Sequence, residues 1–354
     1  MKNKSLIFLG VIIVILLIIT IFQVKTRDTS IKVGAVLPLT GQGSGVAEIL
    51  KGGYEFKTQE LRESGANIET LFGDSSSDPK QALSAYNELV SIKGAKVIFT
   101  GTSLESMVIL PLVEKNKNAI LWADATHPDL TKNTTNVLRH ASTAQDGASV
   151  ISDIIIKNNN KKIGIIYQQD DWGNVFNELL KEKLTKNNIE VVSEQIDNKG
   201  ADFRTQITRI KSAGVDGIVY GVYGPAAGVA IKQTRELGYS GELYAGVGFG
   251  LTPDAQKIAG KYADGLYYQE YPMNKKYSED YQAKYGKPGS PLGYVAYTDL
   301  EILMYAIKNT GSTDPNVLVN FIKKMGTFEG KYETVKIQEN GDIVIPTTMK
   351  VWNK

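Results

Sequence analysis

Positions 6–22 are almost wholly Ile, Leu, Val and Phe, with no polar face. A run of 17 such residues sits at the short end of what spans a bilayer core. From Ile31 onward the pattern changes to short β-branched runs that alternate with amphipathic stretches. Runs at 31–37, 68–72, 96–100 and 119–123 predict strands, and 46–64, 78–92 and 104–116 predict helices. Asp78-Pro79 supplies an N-cap followed by proline in the first turn. The pattern restarts after His140. Helices are predicted over 145–157, 172–186, 202–213 and 225–238, with Asp202 as a cap, and strands over 162–167, 189–193, 217–221, 242–247 and 265–268. Helical stretches at 278–285, 294–309 and 314–325 follow, then two hairpin strands around Asn340-Gly341. Strand–helix alternation of this kind builds a parallel sheet covered on both faces, so the chain predicts two α/β units with a helical supplement to one of them.

Ligands of open α/β sheets bind beyond the carboxyl ends of the strands. That rule selects the loops 38–45, 101–103 and 124–126 in the first unit, and 168–172, 222–223 and 246–248 in the second.

Composition narrows the chemistry. The 354 residues are 42% hydrophobic and 22% charged, enough for two globular domains. Net charge is +2 with basic and acidic residues interspersed, so the stripe that nucleic acid requires is missing. There is no cysteine, which excludes disulfides, thiolate metal sites and a lipid-modified cysteine anchor. With His127 and His140 the only histidines, neither a metal centre nor an acid–base pair is expected, and no cofactor is called for. Gly41-Gln-Gly-Ser-Gly45 lacks the Gly-x-Gly-x-x-Gly spacing of a dinucleotide loop. Asp170-Asp171 reads as a solvated loop, and most tyrosines from Tyr220 to Tyr305 as half-buried surface. No small-x-small cleavage pattern follows position 22, while Lys2 and Lys4 precede the apolar run, which favours an uncleaved signal anchor over a signal peptide for 1–30.

The chain from Ile31 to its end resembles the leucine/isoleucine/valine-binding branch of the extracytoplasmic solute-binding proteins. The matching stretches are Val36-Leu-Pro-Leu-Thr-Gly41, Asp78-Pro-Lys-Gln-Ala82, Val97-Ile-Phe-Thr-Gly-Thr-Ser103, Ala125-Thr-His-Pro-Asp-Leu130 and Tyr167 to Gly173. Asp202-Phe-Arg204, Gly221-Val-Tyr-Gly224 and Gly341-Asp342 follow in the same order. The resemblance implies two Rossmann-like lobes of the type I periplasmic-binding-protein fold, joined by three crossovers and preceded by the N-terminal apolar helix. Lobe one would be 31–142 plus 272–345, and lobe two 143–271 plus 346–354. It further implies a monomeric, non-enzymatic binder of a small-molecule ligand, first of all an amino acid of branched-chain type. That binder would work at the outer face of the membrane or in the periplasm, with an ABC permease and its cytoplasmic ATPases; the same fold would also serve a membrane-tethered sensor.

By the same resemblance, Ser103 and Thr126 hold a ligand carboxylate, with Thr102 and Ala125 beside them. Trp172 and Tyr223 pack over the ligand from the other lobe, next to Val247 and Gly248. Members that bind amino acids place a glutamate where this chain has Val247. The expectation therefore divides between Asp124 as a substitute partner for an ammonium group and a ligand without an amine, such as a carboxylic acid, an amide or urea.

Overall fold

The computed structural model describes residues 30–41, 43–197, 201–332 and 334–353. The apolar run at 6–22, and with it the expected N-terminal helix, lies outside the described residues; no described helix is long and apolar enough to cross a membrane.

Two sheets organise the chain. The first starts with β1 (Ile31–Leu37), β2 (Ile68–Asp74), β3 (Val97–Thr100), β4 (Ile120–Ala123) and β5 (Val137–His140). The second is built from β6 (Lys162–Gln168), β7 (Glu190–Ile196), β8 (Gly217–Gly221), β9 (Glu242–Ala245) and β10 (Tyr267–Glu270). All these pairings are parallel, and both sheets run in the order second, first, third, fourth, fifth. This doubly wound order puts a ligand crevice between the first and third strand of each sheet.

The chain then returns. β11 (Thr327–Glu329), β12 (Thr334–Ile337) and β13 (Asp342–Val344) extend the first sheet beyond β5, and β14 (Thr348–Val351) pairs antiparallel with β10 in the second. The backbone thus passes between the sheets three times, after β5, after β10 and after β13. Two of these passages are tied together. The buried Tyr271 hydroxyl lies 3.0 Å from Ser142 Oγ and accepts from Ser142 N at 3.2 Å.

The strands read as near-continuous apolar runs because helices cover both faces. Every residue of β3, β4 and β8 is buried. The first sheet's helix Ser44–Glu63 lies against Pro291–Thr310, with Gly53 so close that an added Cβ would fall on the Gly293 carbonyl oxygen.

Several elements differ from expectation. Strands β5, β11 and β14 are too short, at 4, 3 and 4 residues, to show a period. The cap of Arg204–Ser212 is Phe203, and Asp202, one residue further out, accepts from Arg204 N at 3.1 Å. The run at 242–247 splits: the strand stops at Ala245, and Val247 opens the helical turn Val247–Gly250. The tyrosines Tyr220, Tyr244, Tyr277 and Tyr297 are fully buried, not half-exposed.

Candidate functional site

Where the carboxyl ends of the two sheets face each other, the structure leaves a cleft of about 300 Å³. All nine residues expected there line it: Thr102 and Ser103 after β3, Asp124, Ala125 and Thr126 after β4, Trp172 after β6, Tyr223 after β8, and Val247 and Gly248 after β9. Its remaining wall is largely apolar, with Val46, Met107, Leu251 and Leu292 among the contributors. That composition, mostly apolar with a few convergent polar groups, suits a small organic solute.

The polar end is the start of the helix Ser103–Asn116. Thr102, in extended conformation, holds the N-cap position, so Ser103 is the first helical residue and not the cap. Ser106 N makes the turn's first intrahelical bond, to Thr102 O at 3.2 Å, which leaves the amides before it for other partners. Thr102 spends its hydroxyl on the Glu105 side chain and not on a backbone amide of the helix it caps. By contrast, the hydroxyls of Ser103 and Thr126 have no partner among the described residues and face the cleft. Hydroxyls beside a helix N-terminus are groups of the kind that can receive an anion. Glu105 was not foreseen. It is fully buried in the same turn, accepts from Ser75 Oγ at 2.6 Å and from Thr102, and burial raises its pKa against those donors.

The opposite wall is aromatic. Trp172 stacks on Phe176 at 5.4 Å and meets Tyr223 edge-on at 5.5 Å. Asp170, read from sequence as a solvated loop residue, is a cleft residue that caps the helix Asp171–Lys186 through Gly173 N (2.7 Å). Its other oxygen accepts from Tyr223 Oη at 2.8 Å and from the Gln168 amide. Burial and this carboxylate push the Tyr223 phenol up, so it stays a proton donor. Gly248 lets the wall close: a Cβ there would come within 2.7 Å of Tyr223 Cβ and of the Val222 carbonyl oxygen.

The glycine-containing loop at 38–45 was expected in the cleft, yet none of its described residues lines it; Val46, one residue later, does. The loop is drawn instead to Asp74, which accepts from Thr40 N at 3.1 Å and from the Thr40 hydroxyl at 2.6 Å.

Asp124 lines the floor with its carboxyl turned to the core. Tyr54 Oη donates to its Oδ2 at 2.8 Å, and its Oδ1 is sealed from solvent. It also meets Asp299, which is fully buried and lies 2.6 Å from His140 Nδ1. Burial raises both aspartyl pKa values well above the ordinary range; for Asp124 the Asp299 charge adds to this and His140 opposes it. Two buried carboxyls so close together titrate as a coupled pair. A raised folded-state pKa contributes stability that is present below the unfolded pKa and lost as pH rises through the folded one. Asn at 124 can donate to Asp299 and accept from Tyr54. Asp124→Asn is therefore expected to raise the urea midpoint at pH 8 relative to the parent, with the difference shrinking toward pH 4. Parallel midpoint–pH curves for the two proteins would show that the pair does not titrate this way.

Comparison with known proteins agrees with this architecture. The family model described as "Periplasmic binding protein" matches residues 30–350. Leu/Ile/Val-binding protein homolog 3 of Brucella melitensis biotype 1 is 26% identical, over 93% of this chain and 92% of that one. Among solved structures, a leucine binding protein from Thermotoga maritima superposes with a TM-score of 0.84 at 24% identity, covering 91% of this chain and 95% of that chain. A solute binding protein of an ABC transporter from Rhodopseudomonas palustris, in complex with 3,4-dihydroxy benzoic acid, has a TM-score of 0.83 at 22% identity, covering 93% and 94%. The two-lobed α/β fold and the match over residues 30–350 identify this chain as a member of the periplasmic binding protein family.

Proposed function

We propose that the protein captures a small carboxylate with an apolar body outside the cytoplasm and delivers it to an ABC permease driven by cytoplasmic ATPases. The observation that carries this reading is the pair of uncommitted hydroxyls, Ser103 and Thr126, at a helix N-terminus opposite the Trp172–Tyr223 wall. The relatives support the same chemistry. The Brucella protein is named for Leu, Ile and Val, which join a carboxylate to an alkyl side chain, and the Rhodopseudomonas protein holds 3,4-dihydroxy benzoic acid, which joins one to an aromatic ring.

In this reading the lobes are 31–142 plus 272–345 and 143–271 plus 346–354, and they close as rigid bodies over the three passages. The protein acts as a monomer, held at the membrane by its N-terminal apolar helix. Ser103 and Thr126 receive the carboxylate, Thr102, Asp124 and Ala125 form the floor, and Trp172, Tyr223, Val247 and Gly248 cover the body.

A thermal-shift series on the full chain tests it with four compounds sharing one isobutyl tail: 4-methylpentanoate, leucine, 4-methylpentanamide and isoamylamine. A carboxylate present at about 100 times its dissociation constant stabilises the folded state by about 2.7 kcal/mol. The melt should rise with one or both carboxylates and stay put with the amide and the amine. A shift with the amide or the amine alone would refute the carboxylate receptor.

A further inference from the structure

Resting on that reading, we infer that the solute is a carboxylic acid without an ammonium group, because among the described residues no carboxylate of the cleft turns an open, unpartnered oxygen to it. Among the lining residues the carboxylates are Asp124 and Asp170. Asp124 is 7% exposed; one oxygen accepts from Tyr54, and the other, without a hydrogen-bond partner, is sealed below the surface where a solute does not reach it. Burial and the neighbouring Asp299 charge raise its pKa well above the ordinary range, which works against a full negative charge facing the cleft. Asp170 carries Gly173 N on one oxygen, and the Tyr223 hydroxyl and Gln168 amide on the other. Freeing it for a ligand would strip the cap from the helix Asp171–Lys186 or release Tyr223 from the wall.

The rest of the second lobe's described cover offers no charged substitute, since Thr252 and Tyr271 bring only neutral hydroxyls. Val247 and Gly248 bring no side-chain acceptor, and Trp172 only donates. Buried charges need a partner that is both opposite in sign and hydrogen-bonded. The cleft meets that condition for an anion, through Ser103, Thr126 and the helix start, and fails it for a cation. Thr126 marks the asymmetry: its hydroxyl can donate to a carboxylate, and as a neutral acceptor it cannot balance an ammonium.

The test is isothermal titration of the full chain with two matched pairs: 4-methylpentanoate against leucine, and 3-phenylpropanoate against phenylalanine. Within a pair the compounds differ only by the α-ammonium. At least one acid should bind at least 100-fold more tightly than its amino acid. Val247→Glu should narrow that gap at least tenfold by placing a carboxylate in the bare wall, with a circular-dichroism melt confirming that the variant is folded. An amino acid binding as tightly as its acid, or more tightly, overturns this inference and leaves the carboxylate receptor standing. If none of the four binds, the receptor reading falls and takes this inference with it. The parent protein decides the question alone if the variant does not fold.

Discussion

Trp172→Ala should weaken binding of 4-methylpentanoate by roughly 100-fold, about 3 kcal/mol on the scale of buried aromatic anchors. Trp172 is 6% exposed, lines the cleft, and is held between Phe176 and Tyr223. It is thus a fixed surface that a solute body meets without ordering a mobile side chain first. Its removal also leaves Tyr223 with one neighbour fewer, so the Tyr223–Asp170 hydrogen bond would no longer be braced. Truncating a buried tryptophan costs stability as well, about 3–5 kcal/mol. Trp172→Phe separates the two effects by keeping a ring on Phe176 while changing the cleft surface. Titration calorimetry with both variants, each checked for folding, reads the difference. An alanine variant that is folded and binds as the parent does would remove Trp172 from the site.

The second large effect is on stability, and it turns on two glycines of one helix. In Ser44–Glu63, Gly53 faces the Gly293 carbonyl oxygen and has Ala296 Cβ within 2.9 Å of an added Cβ. Gly45 has nothing closer than an Asp254 carboxylate oxygen at 3.9 Å. Alanine gains up to about 1 kcal/mol over glycine in a helix, and overpacking costs about 1–3 kcal/mol. Gly53→Ala should therefore lose up to about 2 kcal/mol net, because backbone of the partner helix would have to move, while Gly45→Ala should be neutral or gain up to about 1 kcal/mol. Urea midpoints at one pH measure both. Equal shifts of the same sign would mean that the helix pair is not packed as closely as the structure has it.

Much of this molecule was legible in its sequence. The alternation of apolar runs and helical stretches foretold the two parallel sheets; the rule of carboxyl ends selected the loops, and the family resemblance picked out Ser103, Thr126, Trp172 and Tyr223 within them, all of which line the cleft. What escaped has physical causes. β5, with 4 residues, carries no readable period, yet it leads to Ala141 and Ser142 at the first passage between sheets. Its place at the carboxyl end of β1 made the loop at 38–45 look like a ligand loop, but Asp74 holds it through Thr40. Asp170 looked solvated because neighbouring aspartates usually are; its position two residues before Trp172 and three before Gly173 was the available signal of a cap. The partnership of Asp124 with Asp299 and Tyr54 joins residues 175 and 70 positions apart, and no local pattern announces it.

The account comes down to where a carboxylate sits. A crystal structure of the full chain with bound 4-methylpentanoate reads this directly. The carboxylate is predicted at about 2.7–3.2 Å from Ser103 Oγ, the Thr126 hydroxyl and the first amides of Ser103–Asn116, with the isobutyl tail against Trp172. A carboxylate lodged against the Trp172–Tyr223 wall, or outside the cleft altogether, would contradict it.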